Sequence, residues 1–160
     1  MSTKIRKTEI NLVTLGTGVV LFGAWTFVKV VLSTLLYSDG MFDSMDELGE
    51  FRDIAVIITY ILIFLAAVII FLIHFYVGMS ARAEGKGKRK TALYPTVTGI
   101  IVFFDLLLLA PEAYLLFTGD NTLTYIIITL IIDVTSMVIH LELLINAIAI
   151  RRLKKKEAQA

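Results

Sequence analysis

Four long apolar runs, at residues 10–37, 54–79, 92–117 and 122–150, decide what this chain can become. Each is at least as long as the ~20 residues that carry a helix across a ~30 Å hydrocarbon core. The pieces between them are short, and they leave no room for a separate soluble domain. The expected fold is all-α: a four-helix transmembrane bundle forming a single integral membrane domain over residues 1–160. Composition agrees, with 58% hydrophobic residues and a mean hydropathy of +0.84, both above the usual range of water-soluble domains.

Charge is sorted by segment. Lys4, Arg6 and Lys7 precede the first run. Arg82, Lys86, Lys88, Arg89 and Lys90 fill the inner loop at 80–91, and Arg151, Arg152, Lys154, Lys155 and Lys156 fill the tail at 151–160. The loop at 38–53 instead holds Asp39, Asp43, Asp46, Glu47, Glu50 and Asp53 against Arg52 alone. Lys and Arg collect on the cytoplasmic side of membrane proteins, so both termini and the basic loop are expected in the cytoplasm, with a cell-membrane location. Basic runs also suit anionic lipid or nucleic acid. Here they read first as topology determinants, and no nucleic-acid partner is expected. The absence of cysteine excludes disulfide scaffolds, thiol redox chemistry and cysteine-ligated metals. The first run is too long for a signal peptide and lacks a small-x-small cleavage pattern, so it is expected to stay as an anchor.

Within the acidic loop, Met41, Phe42, Met45, Leu48 and Phe51 form one apolar side, with Asp43 or Ser44 as a cap. That predicts a short helix on the outer membrane surface; an acidic vestibule collecting cations is the alternative. The first span is rich in small residues, Gly16, Gly18, Gly23 and Ala24, which let helices approach closely in lipid. Gly18, Phe22, Trp25, Lys29 and Ser33 recur at helical spacing and predict its inward face. Lys29 either snorkels to the outer interface or pairs with an acid. The second span is uncharged from 54 to 73 and ends near His74. Pro95 suits the first turn of the third span, and Pro111 predicts a kink just before Glu112.

A weak repeat links the halves. "TGVVLF" at 17–22 matches "TGIIVF" at 98–103, and "IH" recurs at 73–74 and 139–140. Two duplicated helical hairpins are one reading, chance matching of apolar strings the other. Duplication would place His74 and His140 at one depth.

Ionisable residues inside the last two spans carry the functional hint. Asp105 and Glu112 are seven residues apart and share a face with Thr98, while Asp133 and His140 share a face with Ser136. Glu142 and Asn146 point elsewhere. An ionised Asp at a helix centre costs ~2.5–3.5 kcal/mol on the lenient insertion scale. Such groups must therefore be neutral or paired with Lys29, His74 or His140. Three classes of function fit. The favoured one is a non-enzymatic subunit or partner-binding membrane protein with a buried polar cluster, forming a homo-oligomer or joining a membrane partner within the lipid bilayer. The sharper alternative is proton or cation translocation by Asp105 and Asp133, with Glu112, His140, Lys29 and His74 along the path. The third is a redox subunit holding haem between His74 and His140. Hydrolysis by an Asp pair within the membrane has no motif to support it. No catalytic residue, resident cofactor or metal site is assigned.

Overall fold

The computed structural model describes residues 3–36, 49–88, 93–118 and 123–159. Four long helices occupy almost all of them: α1 Thr3–Leu36, α2 Arg52–Gly85, α3 Tyr94–Thr118 and α4 Leu123–Glu157. All four are long and apolar enough to span a membrane. Of the proposed outer-surface helix, Met41 to Leu48 lie outside the described residues, as do 89–92 of the basic loop and the turn at 119–122, while its Phe51 sits in a short 3-10 turn and is exposed.

The helices overrun the apolar runs that define them. α1 starts at Thr3 rather than at residue 10, and α4 continues to Glu157 rather than ending at 150. Lipid demands a helix, but water does not forbid one, and Lys, Arg, Glu and Ala are strong helix formers. The basic tail is therefore mostly two further turns of α4, Arg151 to Glu157. Lys154, Lys155 and Lys156 fall in its last turn, where cations offset the negative end of the helix dipole. Much of the basic loop is likewise helix. α2 stops only where Gly87 adopts φ +70°. There Lys88 N–H donates to the Ala83 carbonyl and Gly87 N–H to that of Glu84, both at 3.0 Å, the paired bonds of a Schellman C-cap. α3 places Pro95 in its first turn and continues through Pro111 to Thr118.

The chain divides into two compact units, Met1–Val20 with Tyr76–Ala160, and Leu21–Phe75. In the first, each helix contributes one stripe to a shared core. These are Leu12 and Val19 from α1, Val77 and Ala81 from α2, Tyr94 and Ile101 from α3, and Leu143, Ala147 and Ile150 from α4. α3 and α4 pack against each other as a pair.

Within this unit α1 and α2 meet backbone to backbone. A Cβ on Gly16 would lie 2.6 Å from the Gly78 carbonyl oxygen, and one on Gly85 would lie 2.6 Å from that of Glu9. A Cβ on Gly78 would collide with the Gly16 carbonyl oxygen in return. Packing rather than water exclusion drives helix association in lipid, so removing side chains here lets two backbones touch. This corrects the expected inward face of α1. A Cβ added to Gly18 would make only ordinary contact with Ile139 at 3.4 Å, and Trp25 is 44% exposed. The buried stripe in this unit is Ile5, Leu12, Gly16 and Val19.

The second unit has an aromatic seam. Phe27 meets Phe64 edge-on at 6.0 Å and Phe71 at 6.2 Å, and Phe71 meets Phe75 at 6.1 Å, within the range of favourable ring pairs. Gly23 lies directly against the His74 Cβ. Ile61, Leu65, Ile69 and Leu72 of α2 stay exposed, as expected of a helix solvated by lipid.

Candidate functional site

Asp105 of α3 and His140 of α4 come together between the two helices. His140 is fully buried, and its Nδ1 lies 2.8 Å from the Ser136 carbonyl oxygen. A carbonyl only accepts, so Nδ1 must carry the hydrogen. That nitrogen also lies 3.4 Å from Asp105 Oδ2, too far for a good N–H···O bond but within ion-pair range. Asp105 Oδ2 is sealed from solvent although its carboxyl group as a whole is only partly buried. Asp133 is half-buried and near enough to act on Asp105 electrostatically. Thr98, two turns from Asp105, is fully buried and donates to the Tyr94 carbonyl at 2.7 Å. Thus Asp105, Asp133 and His140 are brought into one neighbourhood, with Thr98 on the same stripe of α3 about 10 Å away. Glu112 belongs to α3, but its side chain lies outside the described residues.

Lys29 and His74 belong to the second unit. Lys29 is half-buried. His74 is 8% exposed and repeats the local geometry of His140, with Nδ1 2.8 Å from the Ile70 carbonyl oxygen four residues back. Among the described residues, no three His, Asp or Glu side chains gather to hold a metal ion.

A second polar cluster was not visible in the apolar runs. Glu84, 5% exposed, receives two bonds from Arg151: Nη2 to Oε2 at 3.1 Å and Nε to Oε1 at 3.3 Å. This two-pronged geometry is the strong form of an Arg–carboxylate pair. The guanidinium carbon also sits 5.5 Å from the centre of the buried Tyr94 ring, within cation–π range. One arginine thus ties α2, α3 and α4. Tyr94 and Arg151 each lie eleven residues, three turns, from Asp105 and His140, so a single antiparallel register sets both contacts. Nearby, Lys154 of α4 meets Glu9 of α1 at 2.8 Å, and Asn11 approaches Asn146 at 3.5 Å. Asn146 thereby finds the partner its off-stripe position required, whereas Glu142 remains exposed.

The missed signal was periodicity carried beyond the lipid edge. Val77, Ala81 and Glu84 form one continuous helical stripe, although the basic neighbours of Glu84 predict a loop there. The two ion pairs differ in weight. Lys154 is 44% exposed at its side chain, so Lys154→Ala should change the melting free energy by less than about 1 kcal/mol, as exposed pairs generally do. Thermal unfolding in mild detergent, followed by circular dichroism, checks this.

Comparison of the chain with protein-family models, with curated proteins and with solved structures returns no match in any of the three.

Proposed function

We propose that this protein is a small non-enzymatic membrane subunit that acts by assembly, with a second copy or a membrane partner, in the cell membrane. One observation carries the reading: the Asp105–His140 contact uses the ionisable groups of the apolar spans to join helix to helix. Intramembrane polar contacts of this kind act as glue and fix which helices associate. Both termini lie on the cytoplasmic side. Support comes from the first unit, where the start of α1 and the ends of α2 and α4 meet through Glu9–Lys154 and Glu84–Arg151. Three basic segments therefore share one end, as the positive-inside rule requires. Duplication of a helical hairpin is supported by the matching histidine geometry at positions 74 and 140.

A second reading, proton or cation translocation, is favoured by the grouping of Asp105, Asp133 and His140, since charge transfer through a membrane needs titratable groups within reach of each other. Vesicles holding the purified protein and an imposed pH gradient separate the two. Under the assembly reading the gradient decays no faster than in empty vesicles, and Asp105→Asn shifts the oligomer or partner distribution in cross-linking. A fast decay that Asp105→Asn and Asp133→Asn abolish at unchanged expression would sink assembly as the main role.

A further inference from the structure

The last turns of α4 carry more cations than the fold uses. An open cleft of about 490 Å³ is lined by Arg151, Arg152, Lys154 and Lys155. Arg151 and Lys154 are engaged with Glu84 and Glu9. Arg152 and Lys155 are exposed, and neither meets an acid among the described residues. Arg151 and Lys154 are held by acids of the bundle, whereas Arg152 lies ~100° further round the helix, with Lys155 between it and Arg151, and Arg152 and Lys155 keep exposed side chains.

The exposed face does not end at Arg152. Leu141, Ile145 and Ile148 are all exposed, and with Arg152 and Lys155 they follow steps of four, three, four and three residues. At ~100° per residue that is a single straight stripe, apolar for two turns and then cationic. A topology signal requires only that positive charge lie on one side of the membrane, on any face of the helix. It does not require two unpaired cations stacked at the end of an exposed apolar ridge.

We infer that the cleft at Arg152 and Lys155 binds the phosphate headgroup of an anionic phospholipid, whose acyl chain lies along Leu141, Ile145 and Ile148. The inference rests on the chain spanning a bilayer, and not on which side the basic end faces or on any protein partner. Arg suits the phosphate because its planar fork donates two parallel hydrogen bonds, while Lys155 adds a point charge one turn on. Basic groups at a membrane edge attract anionic lipid, and the apolar ridge holds the acyl chain at the same azimuth, so both ends of one amphiphile are addressed. A nucleic acid offers the phosphate but has nothing to lay along the ridge.

The test uses the full-length protein in phosphatidylcholine nanodiscs doped with phosphatidylglycerol of the same acyl chains, with bound lipid counted by native mass spectrometry. The intact protein should retain phosphatidylglycerol in preference to phosphatidylcholine. Arg152→Gln with Lys155→Gln should reduce that preference roughly ten- to thirty-fold, as expected for two basic groups at a membrane surface. Lys4→Gln with Lys7→Gln removes the same charge from the same end and should leave most of the preference in place. Equal retention of the two lipids by the intact protein, or equal loss in both double variants, overturns the site. Displacement of the lipid by millimolar inorganic phosphate, or by an oligonucleotide at equal phosphate concentration, also overturns it by making the ligand phosphate alone. Failure of the chain to enter nanodiscs at all would instead overturn the membrane reading beneath it.

Discussion

Arg151→Ala should lower the thermal midpoint of the detergent-solubilised protein by roughly 6–12 °C, far more than Lys154→Ala three residues along. Glu84 is 5% exposed and takes both of its described side-chain bonds from Arg151, so truncation leaves a buried carboxylate without its counter-charge. Breaking a buried pair from one side typically costs 3–5 kcal/mol. The Arg151 side chain is itself 25% exposed, so about 3 kcal/mol is the appropriate end of that range. Each kcal/mol corresponds to about 2–4 °C for a chain of this size. The cost comes from the abandoned charge rather than from the pair's own worth, so Glu84→Gln with Arg151→Met should recover much of the loss. A midpoint for Arg151→Ala that matches Lys154→Ala would show that Glu84 is solvated and the cluster carries no weight.

Gly78→Val should force α1 and α2 apart where Gly16 and Gly78 meet. Even a single Cβ at this position collides with the Gly16 carbonyl oxygen, and it would lie 2.6 Å from Val20 Cγ2. The first neighbour is backbone and cannot rotate away, so the helices themselves must move. Overpacking commonly costs about 1–3 kcal/mol and occasionally more; valine, branched at that same Cβ, belongs at the upper end. Gly18→Ala is the matched control, because its nearest neighbour is the Ile139 side chain at 3.4 Å. Chain breadth in gel filtration and proteolysis of α1 should change for Gly78→Val and stay as in the parent for Gly18→Ala. Equal behaviour of the two would mean that α1 and α2 do not meet through these glycines.

The four spans could be read directly from the apolar runs, because lipid imposes a length and a hydrogen-bonding rule that few sequences satisfy by accident. The stripe from Asp105 to Thr98 and the stripe through Asp133 and His140 are also legible, since a spacing of seven residues survives in any helix. Which partner Asp105 would choose was not. Lys29, His74 and His140 were equal on paper, and only the antiparallel register of α3 against α4 selects His140. The buried face of α1 differs from the one its spacing predicts because four small residues lie close together, and sequence alone does not say which glycine meets another backbone. Glu84 was hidden for a different reason. Hydropathy marks where lipid ends, whereas the helix and its interior stripe continue into water.

The glycine contact between α1 and α2 also works like a vernier scale. Gly78 and Gly85 repeat at the same interval that separates Glu9 from Gly16. Sliding α1 by one such division, about 10 Å, would bring Gly16 opposite Gly85 and restore a smooth fit. The scale therefore permits several settings and distinguishes none of them. What locks one setting is the side chain that cannot repeat: the same slip would pull Glu9 about 10 Å from Lys154 and Asn11 equally far from Asn146. An ion pair worth little in stability thus adds to the alignment that Leu12 and Val19 hold in the shared core, and its loss would loosen that setting rather than reset it.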